Sequence, residues 1–254
     1  MIIAIDVGNT NIVVGCLDEN KKYFEGRIST DKNATAEEYA IRFKMLFDLY
    51  KIETADIEGA IVSTVVPQLV NALKQAVFLT IGKEPVIVGP VVKTGLNIKI
   101  DNPGELGADL VVGSVAAINK YPLPQIVIDL GTATTVSVID KNACYRGGLI
   151  LTGVKTSLNA LASGTSQLPN VEITAPDKII ATNTIDCMKS GSVFGTACMI
   201  DGLISRIENE LGEKTTVIAT GGIANCILPH CKSEIIYDDD LLLDGLMMIY
   251  NKNK

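Results

Sequence analysis

Two short polar turns, each set between apolar runs, have the residue types to hold phosphate. Asp6-Val-Gly-Asn-Thr-Asn11 follows Ile2-Ile-Ala-Ile5 and leads into Ile12 and Val13, and Asp129-Leu-Gly-Thr132 follows Ile126-Val-Ile128 and leads into a second apolar run ending at Ile139. Each reads as a β-hairpin whose turn carries an acid, a glycine and Thr or Asn side chains. Gly8 permits close backbone approach, and Asn9, Thr10 and Asn11 offer donors to phosphate oxygens. Asp6 is suited to hold a hydrated Mg²⁺, an ion that keeps several waters and uses one or two carboxylates. Turn capping would also suit these residues. Recurrence of the device almost half a chain later favours the phosphate reading, with two hairpins gripping a triphosphate from both sides.

Three further places carry weaker signals. Asn102-Pro-Gly-Glu-Leu-Gly-Ala-Asp109 is dense in turn formers and runs into the apolar stretch Leu110–Ala117. Asp109 at the opening of that stretch serves either as a helix N-terminal carboxylate or as a general base accepting a hydroxyl proton. Thr220-Gly-Gly222 after an apolar strand would let a nucleotide ring or ribose lie against backbone, or would make a tight strand-to-helix turn. Gly147-Gly148 is open to the same two readings.

The elements that must position these residues also come twice. In the first half a helix is predicted over Thr35–Lys51, then a strand over Gly59–Val65, a helix near Pro67–Leu79 and a strand at Pro85–Val88. In the second, Thr184–Leu211 has helical spacing, with Ile185, Met188, Val193, Met199, Leu203 and Ile207 expected inward. The strand Thr216–Ala219 and a terminal helix over Leu241–Tyr250 follow. Strands followed by helices, twice over, imply an α/β protein of two lobes, 1–119 and 120–254, each a mixed sheet flanked by helices, with a cleft between them.

Composition narrows the function classes. A formal charge of -7 argues against general affinity for nucleic acid or anionic membranes, so phosphate must be met by local backbone donors. Trp is absent and aromatics are 5%, which leaves little for base-stacking platforms. The single histidine, His230, leaves little room for Ser-His-Asp or H-E-x-x-H chemistry. The six cysteines form no C-x-x-C pair and fit reduced thiols. No stretch approaches the roughly 20 apolar residues of a membrane span, and Asp6 interrupts the N-terminal apolar run. A soluble cytoplasmic protein is expected.

Taken together, Asp6-Val-Gly-Asn-Thr-Asn11, Asn102-Pro-x-Glu-Leu-Gly-Ala-Asp109, Asp129-x-Gly-Thr-Ala133, Gly147-Gly148, Thr184 ahead of Ser190-Gly191, and Thr220-Gly-Gly222 resemble, in order and spacing, the type III pantothenate kinases of the acetate kinase, Hsp70 and actin superfamily. The resemblance implies two tandem ribonuclease H-like (actin-like ATPase) lobes and ATP-dependent phosphorylation of pantothenate, the first step of coenzyme A synthesis. It assigns Asp6, Val7, Gly8, Asn9, Thr10, Asn11, Ile12, Val13 and Thr132 to ATP and Asp109 to proton abstraction. Gly107, Ala108, Asp109, Leu110 and Thr184 fall to pantothenate, and Asp129 to a monovalent cation, K⁺ or NH₄⁺. A homodimer with substrate pockets near the subunit interface is implied as well. Three departures stand out: Leu110 where the family usually has Arg, Ile100 where it usually has Tyr, and Thr152-Gly153 where it commonly has Pro-Gly. The first two face pantothenate in the family, and they leave open a kinase for another small alcohol or an ATP-binding sensor.

Overall fold

A computed structural model describes residues 1–254, and they fall into two compact units. The first unit comprises Met1–Leu96, Asn102–Ala116 and Asp240–Lys254. Its sheet opens with the antiparallel strands β1 (Ile2–Val7), β2 (Asn11–Leu17) and β3 (Lys22–Ser29), and continues with β4 (Gly59–Thr64) and β5 (Val86–Ile87), in the order β3-β2-β1-β4-β5. Strand β4 runs parallel to β1, with Asp6 beside Ser63. Both faces of the central strands are covered, which is why Ile2, Ile3, Ala4 and Ile5 are buried in succession instead of alternating.

On one face lie α1 (Ala36–Tyr50) and α2 (Val70–Ile81). Thr35 starts α1 with a capping box: its hydroxyl accepts from the Glu38 amide, and the Glu38 carboxylate accepts from the Thr35 amide at 2.7 Å. Tyr39, Phe43 and Phe47 then recur at helical spacing and meet Ile3, Ile5, Val14 and Val62 in the core. Helix α3 (Ala108–Lys120) begins in this unit, and its residues from Ala117 onward count with the second.

The second unit comprises Asn97–Asp101 and Ala117–Asp239. It contains β6 (Asn97–Ile98), β7 (Gln125–Leu130), β8 (Ala133–Ile139), β9 (Cys144–Thr152), α4 (Val154–Gly164), α5 (Thr184–Leu211), β10 (Thr216–Thr220), α6 (Ala224–Ile227) and β11 (Ile236–Tyr237). The strand order is β11-β10-β7-β8-β9-β6. Set against the first sheet, β9-β8-β7-β10-β11 repeats β3-β2-β1-β4-β5, with β6 added at the edge of β9. Asp129 stands beside Thr220 as Asp6 stands beside Ser63, so the repeat read in two hairpins extends through five strands of each sheet.

Helix α5 buries Met188, Val193, Ala197, Ile200 and Ile204 against Ile126, Ile128 and Val136. Two residues expected inward do otherwise. Ile185, in the first turn, is exposed, and Met199 lines a surface groove. The buried stripe is carried by the small residue Ala197 together with Ile200 and Ile204, one turn apart.

The last helix, α7 (Leu241–Lys252), follows the second unit in the chain but lies on β1 and β4 of the first. Gly15 and Gly59 make room for it, since a side chain at either would run into Leu243 or Tyr250. An ion pair between Lys22 and Asp240 fixes its start. No helix is long and apolar enough to cross a membrane.

Candidate active site

The first hairpin turn is braced from behind by the end of β3. The Gly8 amide donates to the Asn11 carbonyl at 3.0 Å, the Thr30 hydroxyl donates to the Gly8 carbonyl at 2.7 Å, and the Thr30 amide donates to the Thr10 carbonyl at 2.9 Å. Asn9, Thr10 and Asn11 are thereby presented to solvent, with Lys32 held near them by its hydrogen bond to Asn9 Oδ1 at 3.2 Å. Ile12 is buried and Val13 and Asp6 are half-buried, so this segment grades from core to exposed donors within a few residues.

Asp109 lies in the first turn of α3, half-buried, and its Oδ1 accepts from the Leu110 amide at 2.8 Å. Burial pushes its carboxyl above the ordinary carboxylate range, and the amides of Leu110 and of Asp109 itself offset part of that rise. A side chain at Gly107 would come within 2.5 Å of Asp109 Oδ1, so the glycine leaves this carboxylate its place. The environment suits a proton acceptor: a carboxylate with raised basicity, held by helix N-terminal amides. If Asp109 is the base, its ionised form is required, so kcat/KM falls with decreasing pH. The midpoint of that acid limb lies above the ordinary carboxylate range, and Asp109→Glu, with a longer reach, moves it; a pH–rate profile reads both.

In the second unit Asp129 meets the turn after β10. Gly221 has φ +99°, and a Cβ there would stand 2.6 Å from Asp129 Oδ1 and 2.7 Å from the Leu130 backbone nitrogen. Of the two readings left open for Thr220-Gly-Gly222, close packing is what Gly221 provides. Thr132 is exposed at the β7–β8 turn, and its carbonyl accepts from the Thr156 hydroxyl of α4 at 2.8 Å. Gly153, between β9 and α4, packs directly on the Gly131 and Thr132 carbonyls. That contact gives a reason for the glycine at 153, while nothing in the structure explains Thr152 in place of proline.

Residues on either side of Gly153, Thr152 and Val154, line a groove of about 560 Å³ with Thr184, Met188 and Gly191 of α5. Asn183 caps α5 by accepting from the Asp186 amide at 2.9 Å, which places Thr184 at the rim. The β9–α4 junction therefore joins Thr132 and Thr184, two residues far apart in sequence. Asp6–Val13 and Gly107–Leu110 belong to the first unit, and Asp129, Thr132 and Thr184 to the second. Helix α4 carried no expectation from sequence; its only local signal is modest helical spacing of Val154, Leu158 and Leu161.

No three His, Cys, Asp or Glu side chains gather as a metal cage. Single carboxylates such as Asp6 and Asp129 fit an ion held mostly by water and phosphate oxygens.

The family model for type III pantothenate kinase matches residues 2–206. This chain belongs to the type III pantothenate kinase family. A type III pantothenate kinase of Exiguobacterium sibiricum is 45% identical over 254 residues, covering 100% of both chains. One of Halalkalibacterium halodurans is 42% identical over 253 residues, again with full coverage of both. Among solved structures, a ROK family glucokinase from Streptomyces griseus superposes with a TM-score of 0.55 at 14% identity, covering 98% of each chain. The ethanolamine utilization protein EutJ of Carboxydothermus hydrogenoformans gives 0.57 at 15%, over 97% of this chain and 88% of that one. At such identities the likeness concerns the fold, which is that of the actin-like kinases and ATPases.

Proposed function

We propose that this pantothenate kinase family member transfers the γ-phosphoryl group of ATP to the primary hydroxyl of pantothenate, and that Asp109 takes up the hydroxyl proton. Full-length similarity to curated type III pantothenate kinases supports the reaction. The observation that carries the residue assignment is the Asp109 carboxylate, raised in basicity by burial at a helix N-terminus. In the transfer, the pantothenate oxygen forms a bond to the γ-phosphorus as the bond to the β–γ bridging oxygen breaks. ADP leaves with that electron pair, and the proton passes to Asp109.

Asp6 to Val13 and Thr132 are read as the nucleotide-binding residues, the Asn9–Asn11 donors meeting phosphate oxygens. Mg²⁺ and a monovalent cation, held through Asp6 and Asp129 respectively, would neutralise charge building on the transferring group. Gly107–Leu110 and Thr184 are assigned to pantothenate. A homodimer is read from the family resemblance. A cytoplasmic location agrees with the reaction.

Leu110 sets the expected weakness of this chain. A hydrogen bond from Arg to a polar substrate group contributes about 1.5–3 kcal/mol, or about 10- to 150-fold. ADP release with ATP, Mg²⁺, K⁺ and pantothenate is expected from the native chain, and Leu110→Arg is expected to lower the pantothenate KM by about tenfold or more. Silence of both proteins with ATP still bound would replace the kinase reading with that of an ATP-binding sensor.

A further inference from the structure

Ser63 interrupts an otherwise apolar strand. It follows Gly59-Ala-Ile-Val62 in β4, is fully buried, and its hydroxyl has no hydrogen-bond partner. A buried hydroxyl without a partner is destabilising, and alanine would fit the same space without that penalty. Such a group points to a partner that arrives with a ligand.

Its position says which group it serves. In the parallel ladder of β1 and β4, Ser63 is paired with Asp6, and paired residues of neighbouring strands leave the sheet on the same face. The second sheet repeats the juxtaposition at the same step of its own parallel ladder, where Asp129 is paired with the buried Thr220. The preceding pairs are apolar in both ladders, Ala4 with Ile61 and Ile5 with Val62 in one, Val127 with Ile218 and Ile128 with Ala219 in the other. The acid beside a hydroxyl is the polar pair that recurs. A serine hydroxyl can donate, and an ionised carboxylate only accepts.

We propose that Ser63 is a positioning residue for Asp6: its hydroxyl donates to one carboxylate oxygen of Asp6 when the Mg²⁺–nucleotide complex is bound, leaving the other oxygen aimed at the water shell of the ion. The cost of the unpaired hydroxyl in the free protein is recovered on binding. This inference rests on the reading of Asp6 as the Mg²⁺-side carboxylate.

Calorimetric titration with ATP, with Mg²⁺ and with EDTA in its place, together with thermal unfolding of the free protein, tests it on Ser63→Ala, Ser63→Thr and Asp6→Asn. Ser63→Ala is expected to unfold at the native temperature or above it, yet to bind Mg²⁺–ATP about tenfold more weakly. The deficit disappears in EDTA, and Ser63→Thr, which keeps the hydroxyl, retains most of the affinity. Unchanged Mg²⁺–ATP binding by Ser63→Ala, with weakened binding by Asp6→Asn, would overturn the Ser63 role alone. Unchanged binding by Asp6→Asn would remove the assignment of Asp6 first, and the Ser63 role with it. A fall in unfolding temperature of free Ser63→Ala matching its loss of affinity would make the residue structural.

Discussion

Asp109→Asn lowers kcat by about two to four orders of magnitude while ATP binding stays near native, because general base catalysis contributes about 10²–10⁴-fold and the amide cannot accept the proton. The same substitution carries a second signature. The Asp109 carboxyl is raised in the folded chain by burial, so the folded state holds its proton more tightly than the unfolded one. The resulting stabilisation is complete below the ordinary carboxylate pKa and is lost as pH rises through the raised folded value. At neutral pH the ionised, buried group is therefore a cost. Asp109→Asn should unfold at a higher temperature than native protein near about pH 7, and the gap should close toward about pH 4. Loss of turnover with a gain in thermal stability is hard to obtain from a residue that only caps a helix. A variant of native turnover would remove Asp109 from the role of base, and one destabilised at neutral pH would remove the raised carboxyl.

Gly221→Ala is expected to be strongly damaging, because it combines backbone strain with a clash. At φ +99° an L-residue is strained, and the added carbon has only the Leu130 backbone and the Asp129 carboxylate to push against. Strain and overpacking each cost about 1–3 kcal/mol, so a loss of about 2–6 kcal/mol follows, a large part of ordinary domain stability. The Asp129 carboxylate is displaced with it, so ATP affinity and the K⁺ response are expected to fall too if Asp129 holds the cation as proposed. Gly212 supplies the control. At φ +74° it caps α5, and a Cβ added there would meet nothing within 4 Å, so Gly212→Ala carries backbone strain alone. Urea midpoints that coincide for the two variants would show that the contact with Asp129 and Leu130 is unimportant.

Much of this was legible because it is local. Hairpin turns announce themselves through an acid, a glycine and polar residues between β-branched runs, and α1 through a capping box and three aromatics at helical spacing. Strand β3, Lys-Tyr-Phe-Glu-Gly-Arg-Ile-Ser, gives no comparable signal, since it lies at a sheet edge and buries only Phe24 and Gly26 fully. Strand β9 hides behind Gly147-Gly148. Gly148 is required there because any side chain would strike the Val136 carbonyl of the neighbouring strand, a demand set by pairing and invisible in the local sequence. Strands β5, β6 and β11 are two residues each, too short for any period. Among the candidate site residues, Asp6, Gly8, Asp109 and Asp129 stand out through motifs, whereas the proposed role of Ser63 depends on register with a strand far away in sequence.

The docking of α7 bears on how the chain acquires its structure during synthesis. The face of the first sheet that carries Ala4, Gly59 and Ile61 is covered by a helix synthesised only after the whole second unit. The N-terminal unit thus cannot mature first in the usual vectorial order. Throughout elongation it presents an apolar sheet face with nothing of its own to cover it, which is the kind of surface that nascent-chain chaperones recognise.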